Sequence, residues 1–134
     1  MKEELSEILL KDEGSFKNNH YQLEEARKDK IVLKVPITKE SKNLYGICHG
    51  GFIFGLGDHA MGVLASIDRR KSVTLNANIN FISPGVGEYL LAEAEIIKRG
   101  KKTCILKTNI YNNDKNLVAT MNSTYYYLEE EKEG

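Results

Sequence analysis

Asp58 is the only carboxylate between Leu44 and Ile67, a stretch that contains no Lys or Arg. A carboxylate among apolar side chains is costly to desolvate, and burial raises its proton affinity unless hydrogen bonds hold it ionised. Such a group can act as a general base. Its structural alternative is an Asp bonded to a backbone amide or to a partner across an interface. The same stretch opens on His49-Gly50-Gly51. A helix that begins there presents free N–H groups and a partial positive charge, and two glycines let a ligand approach the backbone. Those N–H groups suit the oxygen of a carbonyl that is becoming tetrahedral. A Gly-Gly pair equally suits a tightly packed helix start.

Spacing limits how the two features can cooperate. From Gly50 to Asp58 is about 12 Å of helix rise, whereas an oxyanion donor and a base serving one carbonyl must both lie within about 3–4 Å of it. One straight helix does not supply both. Two copies running antiparallel across a two-fold axis do, one chain giving Gly50 and the other Asp58. The spacing therefore predicts a homodimer with two composite sites.

The elements that must position these residues follow from periodicity. Leu5, Ile8 and Leu9 repeat at helical spacing, predicting a short amphipathic helix over residues 3–12. Tyr21 to Ala26 and Lys30 to Ile37 are expected as strands joined by a turn at Lys28-Asp29, with Pro36 placing the end of the second strand at or near an edge. Thr38 to Ile47 is polar and is expected as a loop. Gly50 to Ile67 is expected as one long helix, apolar on nearly all faces and therefore wrapped by the rest of the fold. Gly51 and Gly55 share a face that would admit a close neighbour. Val73, Leu75, Ala77, Ile79 and Phe81 then alternate with Thr74, Asn76, Asn78 and Asn80, which predicts a strand with one apolar face. Strands over Tyr89–Lys98, Thr103–Tyr111 and Leu117–Leu128, separated by short turns, make an antiparallel meander. Strands around a single long helix define an α+β domain with the helix packed on one antiparallel sheet. At 134 residues the chain suits a single domain, 1–134, ending in a charged tail over 129–134.

Composition narrows the function. Nineteen Lys and Arg balance nineteen Asp and Glu, so there is no basic excess for nucleic acid. Cys48 and Cys104 are too few for a disulfide framework and fit a reduced, cytoplasmic setting. Met1-Lys2-Glu3-Glu4 has no apolar run behind it, as a secretory signal would. The 44–67 stretch is long enough to span a membrane, but six glycines and a central Asp that costs about 2.5–3.5 kcal/mol on insertion argue for a buried helix instead. Cys48, His49, Asp58 and His59 match no closed zinc spacing, and no P-loop or Gly-x-Ser-x-Gly elbow occurs. Tyr125-Tyr126-Tyr127 alternates across its strand and is assigned to core and interface.

The segment Asn43-Leu44-Tyr45-Gly46-Ile47-Cys48-His49-Gly50-Gly51, followed by Phe52 to Gly57 and Asp58, resembles the hotdog-fold acyl-CoA thioesterases, in particular their phenylacetic-acid-degradation and thioesterase-superfamily branch. Val73 to Pro84 is similar to the strand that follows the helix in that family, and the likeness runs from about Tyr21 to Tyr127. The resemblance implies an antiparallel sheet wrapped around one long central helix, acyl-CoA as substrate, and assembly as a homodimer or homotetramer. It implies that Asp58 is the base or nucleophile, that the Gly50 N–H polarises the thioester carbonyl, that Asn43 and His49 lie near that carbonyl, and that Thr74 helps to orient water. Strand alternation, however, puts Thr74 on the asparagine face, away from Val73 and Leu75.

A thioester is already activated and its thiolate leaves readily, so one carboxylate and one N–H suffice and no cofactor or metal is called for. The phosphates of CoA call for cations near the mouth of the site. Lys98, Arg99, Lys101 and Lys102 cluster at one expected turn, and Arg69, Arg70 and Lys71 at another. Two alternatives share the cleft. A hotdog hydratase or dehydratase would need a His five residues after the Asp, where this chain has Val63. A non-catalytic acyl-CoA-binding module would keep the cleft without depending on Asp58.

Overall fold

The computed structural model describes residues 2–4 and 20–129. Of the helix expected over 3–12, residues 3 and 4 are helical and the remainder lies outside the described residues, as do residues 130–134 of the charged tail. The elements are strands β1 (Gln22–Arg27) and β2 (Lys30–Pro36), a 3-10 turn (Lys39–Ser41), helix α1 (Gly50–Ala65), and strands β3 (Ser72–Phe81), β4 (Tyr89–Arg99), β5 (Thr103–Asn112) and β6 (Leu117–Tyr127). The six strands form one antiparallel sheet in the order β1-β2-β4-β5-β6-β3. With one long helix laid on it, this is the hotdog architecture. No helix among the described residues is long and apolar enough to cross a membrane.

Periodicity explains the helix–sheet contact. Ile53, Leu56, Gly57, Ala60, Met61, Leu64 and Ala65 form the buried stripe of α1. They meet inward residues of the sheet, among them Leu33, Ala92, Ala94, Leu106, Ile110 and Met121, all essentially inaccessible. Alanines at 92 and 94 keep the middle of the sheet low where the helix crosses it. One sheet covers one side of a helix, so Phe52, Phe54 and Val63 on the remaining circumference stay only partly buried. The expected close approach at Gly51 and Gly55 is not made by any of the described residues. Among the described residues, none lies within 4 Å of a Cβ on Gly51, and Gly55 faces the Tyr21 hydroxyl.

Pro36 ends its strand at a local edge, as expected, and one other strand expectation is corrected. β2 is an inner strand, paired with β1 on one side and β4 on the other. Pro36 is tolerated because β1 begins at Gln22, opposite Lys34, so the missing Pro36 N–H faces a side where no strand remains. In β3, a bulge between Thr74 and Asn76 inserts Leu75 as an extra residue. The bulge reverses the alternation. Before it, Thr74 pairs with inward-facing Tyr125; after it, Ala77 and Ile79 pair with inward Ser123 and Met121. Thr74 thus lies on the helix face, while Val73 and Leu75 remain 46% and 63% exposed.

Candidate active site

Helix α1 carries two separate chemical features. At its N-terminus His49 is the N-cap residue, with extended ψ and no side-chain cap bond. The carbonyl of His49 accepts from the N–H groups of Phe52 and Ile53, at 3.0 and 3.2 Å. The N–H groups of Gly50 and Gly51 have no acceptor among the described residues, and both glycines are exposed. The loop before the helix is fixed by Asn43, whose side-chain oxygen accepts from the N–H groups of Tyr45 (2.9 Å) and Ile47 (3.2 Å). Gly46, at φ 74°, makes the reversal that this turn requires. The Cys48 N–H donates to the Gly85 carbonyl and the His49 N–H to the Ser41 carbonyl, which ties the helix start to two other loops.

Gly50 borders an open pocket of about 390 Å³ lined chiefly by Ile47, Ile53, Phe81, Ile82 and Pro84. A Cβ on Gly50 would stand 3.1 Å from the Phe81 ring, so glycine is what lets that ring lie across the helix start. Cys48 also lines the pocket; burial pushes its thiol pKa up, which keeps it a thiol and a poor nucleophile.

Two turns further on, Asp58 is half-buried and lies outside that pocket. Its Oδ1 accepts from the Tyr125 hydroxyl at 2.5 Å and from the Thr74 hydroxyl at 3.2 Å. The Tyr125 hydroxyl is also 2.8 Å from the Asp58 carbonyl oxygen. Oδ2 accepts no hydrogen bond among the described residues. Burial, and then the bond to Asp58, raise the Tyr125 phenol above its ordinary range, so it remains a donor. Tyr21 flanks the same carboxylate and is pushed up to about 12, first by burial and then by the Asp58 charge. Its ring lies 4.9 Å from that of His59.

The two cationic turns converge at the opposite end of the molecule from Gly50. Arg70 donates to the carbonyls of Gly100 and Lys101, pairs with Asp68 and stacks on the Tyr127 ring. Arg99 donates to the carbonyl of Leu64 at 2.8 Å, in the last turn of α1, and to that of Lys28 at 3.0 Å. These two arginines are engaged in holding the fold. Lys98, Lys101 and Lys102 remain exposed. The structure therefore brings Thr74 to Asp58, places Gly50 with His49 and the Asn43 turn at the helix start, and keeps the two groups apart. Sequence alone missed Tyr125 as a partner of Asp58. Strand alternation put Tyr125 and Tyr127 on one face, but only the register of β6 against the helix shows which tyrosine meets the carboxylate. Phe81 was likewise legible as apolar and not as the ring over Gly50.

The sequence profile of the thioesterase superfamily matches residues 45–119, and the chain belongs to that family. It is a thioester hydrolase with the hotdog fold. A putative esterase of Archaeoglobus fulgidus is 25% identical over 132 residues, covering 98% of this chain and 86% of that protein. The acyl-coenzyme A thioesterase PaaI of Escherichia coli is 30% identical over 89 residues, 66% of this chain and 64% of that protein. The PaaI structure superposes with a TM-score of 0.89, at 21% identity over 94% of this chain and 92% of that one. A hypothetical thioesterase of Streptococcus pneumoniae, solved with coenzyme A, gives a TM-score of 0.78 at 25% identity, covering 88% of this chain and all of that one.

Proposed function

We propose that the protein hydrolyses acyl-CoA thioesters, as a homodimer in which each site takes Asp58 from one protomer and the Gly50 N–H from the other. Asp58 removes a proton from water, and the water oxygen bonds to the thioester carbon. The developing oxyanion accepts from the Gly50 N–H, held near the positive end of the helix. The C–S bond then breaks and the proton passes to the departing CoA thiolate. His49 and Asn43 stand beside the carbonyl, and Thr74 helps to hold the water.

The observation that carries this proposal is the separation itself. Gly50 borders the apolar pocket and Asp58 does not, and about 12 Å of helix lies between them. A single protomer thus has an oxyanion donor without a base. With the helices antiparallel and Gly50 facing the partner's Asp58, the partner's α1 continues about 10 Å beyond the Gly50 N–H to its Ala65. The turn beside that end carries Lys98, Lys101 and Lys102, so the partner supplies cations outside the pocket mouth for the CoA phosphates. Arg99, engaged with backbone carbonyls, has the smaller share.

The relatives support the same substrate. The pneumococcal thioesterase binds coenzyme A, and a Streptococcus mutans protein, 26% identical, was solved with acetyl-CoA. The pneumococcal protein was also solved with an aspartate or a threonine replaced by alanine, two residues sixteen positions apart in that chain. Asp58 and Thr74 are separated by the same interval.

The test is thiol release from acetyl-, hexanoyl-, isobutyryl- and phenylacetyl-CoA, followed with a thiol-trapping dye. Wild type should turn over at least one of these and Asp58→Asn should lose activity by orders of magnitude while remaining folded. Binding of all four without turnover would instead identify a binding module.

A further inference from the structure

We infer that Tyr125 is a positioning residue for Asp58. Together with Thr74 it occupies Oδ1, orienting the carboxylate so that Oδ2 is the atom that takes the proton from water. The inference rests on Asp58 being the base.

The geometry is specific. A carboxylate has two oxygens, and here the donors are unevenly shared between them. Oδ1 accepts from a tyrosine on β6 and a threonine on β3, while Oδ2 accepts from none of the described residues. The Tyr125 hydroxyl also lies 2.8 Å from the Asp58 carbonyl oxygen, so its one hydrogen is shared between the side chain and the backbone of a single residue. Its ring is 3% exposed and packs beside Gly62, one turn of α1 further on, where a Cβ would sit 3.7 Å from the ring. The hydroxyl is therefore delivered by a ring that cannot swing away. The bulge at Leu75 completes the arrangement, because without it Thr74 would point away from the helix.

Fixing one oxygen matters to a base. It removes rotation about the Cβ–Cγ bond, so Oδ2 is held toward the site rather than reaching it occasionally. The titratable groups facing Asp58 from the elements packed against it are Tyr125 on β6 and Tyr21 ahead of β1, with His59 beside it on α1. Thr74 on β3 does not titrate. Among the described residues, Tyr125 and Thr74 are the ones bonded to the carboxylate.

Tyr125→Phe keeps the buried ring and deletes the donor. It should leave KM within about twofold and lower kcat roughly tenfold or more, the scale of a hydrogen bond to a charged group. A fall in kcat at nearly constant KM is the signature of a group that holds the base rather than the substrate. Thr74→Val, at a more exposed position, should lower kcat in the same way, and Thr74→Ser should retain it. A merely structural tyrosine would lower the melting temperature and leave kcat unchanged at a temperature where the variant is folded. Loss of turnover in Asp58→Asn combined with an unchanged kcat in whichever of Tyr125→Phe and Thr74→Val folds overturns the positioning role alone. Near-normal turnover in Asp58→Asn removes the base, and the positioning role with it.

Discussion

Gly57 of α1 lies so close to the Sδ of Met121 on β6 that a Cβ there would overlap the sulfur, and Ile110 Cδ1 would stand 3.2 Å away. This contact sets the distance between helix and sheet one residue before Asp58. It therefore helps to set how deeply the carboxylate sits between Tyr125 and Thr74.

Gly57→Ala should consequently destabilise the protein although alanine is the better helix former. Overpacking costs about 1–3 kcal/mol, while the gain in helix propensity is about 1 kcal/mol. Met121 is 1% exposed, leaving its sulfur little room to retreat. Gly62→Ala meets only an ordinary contact with the Tyr125 ring and should stabilise by about 0.5–1 kcal/mol. Urea midpoints at constant slope would separate the two; equal shifts in the same direction would contradict the packing argument.

The contrast shows what the sequence disclosed. The one long apolar helix, the meander and the isolation of Asp58 follow from period and composition, and all three are present. Gly57 was not distinguishable from Gly51 or Gly55, because a close approach depends on which residue of a distant strand lies beneath. The side on which Thr74 emerges was misread for a related reason. Alternation assumes an unbroken strand, and no residue in Val73–Phe81 announces the bulge at Leu75. The separation of Gly50 from Asp58 was legible, since it requires only the rise of a helix. The partner of Asp58 was not, since it depends on the register of β6.

Arg99 should behave as a structural cation. Its guanidinium meets a carbonyl in the last turn of α1 and another in the β1–β2 turn, where a positive charge also favours the helix C-terminus. Arg99→Met should lower stability by about 1.5–3 kcal/mol and leave KM for acyl-CoA unchanged. Lys101→Ala combined with Lys102→Ala should do the reverse, raising KM severalfold with little effect on stability. The rise should shrink as salt is added, because exposed charges are screened. A KM change in Arg99→Met larger than in the double lysine variant would return Arg99 to the phosphate site.

Alkaline pH should unfold the protein through its buried phenols. Tyr21 is raised to about 12, and Tyr125 and Tyr127 are also raised, in each case chiefly by burial. In the unfolded chain each ionises near about 10. Below that value both states are protonated and these groups add no pH dependence. Above it the unfolded state loses protons that the folded state keeps, so stability falls as pH rises from about 10 toward about 12. Phenolate absorbance should therefore rise in two phases, exposed tyrosines first and the buried ones together with loss of the fold. Tyr21→Phe should flatten the decline; an unchanged slope would show that Tyr21 ionises alike in both states.

The composite site makes a quantitative demand. Gly50→Pro deletes the oxyanion N–H, proline is compatible with the first turn of a helix, and its Cβ requires the Phe81 ring to give by a few tenths of an ångström. Asp58→Asn deletes the base. Each homodimer alone has two defective sites. When equal amounts exchange subunits freely, half the dimers are heterodimers, and each joins the intact Gly50 of one chain to the intact Asp58 of the other at one of its two sites. About a quarter of wild-type activity should return, a consequence of two-fold symmetry alone. A site contained within one chain would give no recovery, since every chain in the mixture carries a defect. Subunit exchange can be followed independently by labelling the two variants with different fluorophores. Demonstrated exchange without recovered turnover would place both groups in the same protomer and remove the geometric reason for the dimer.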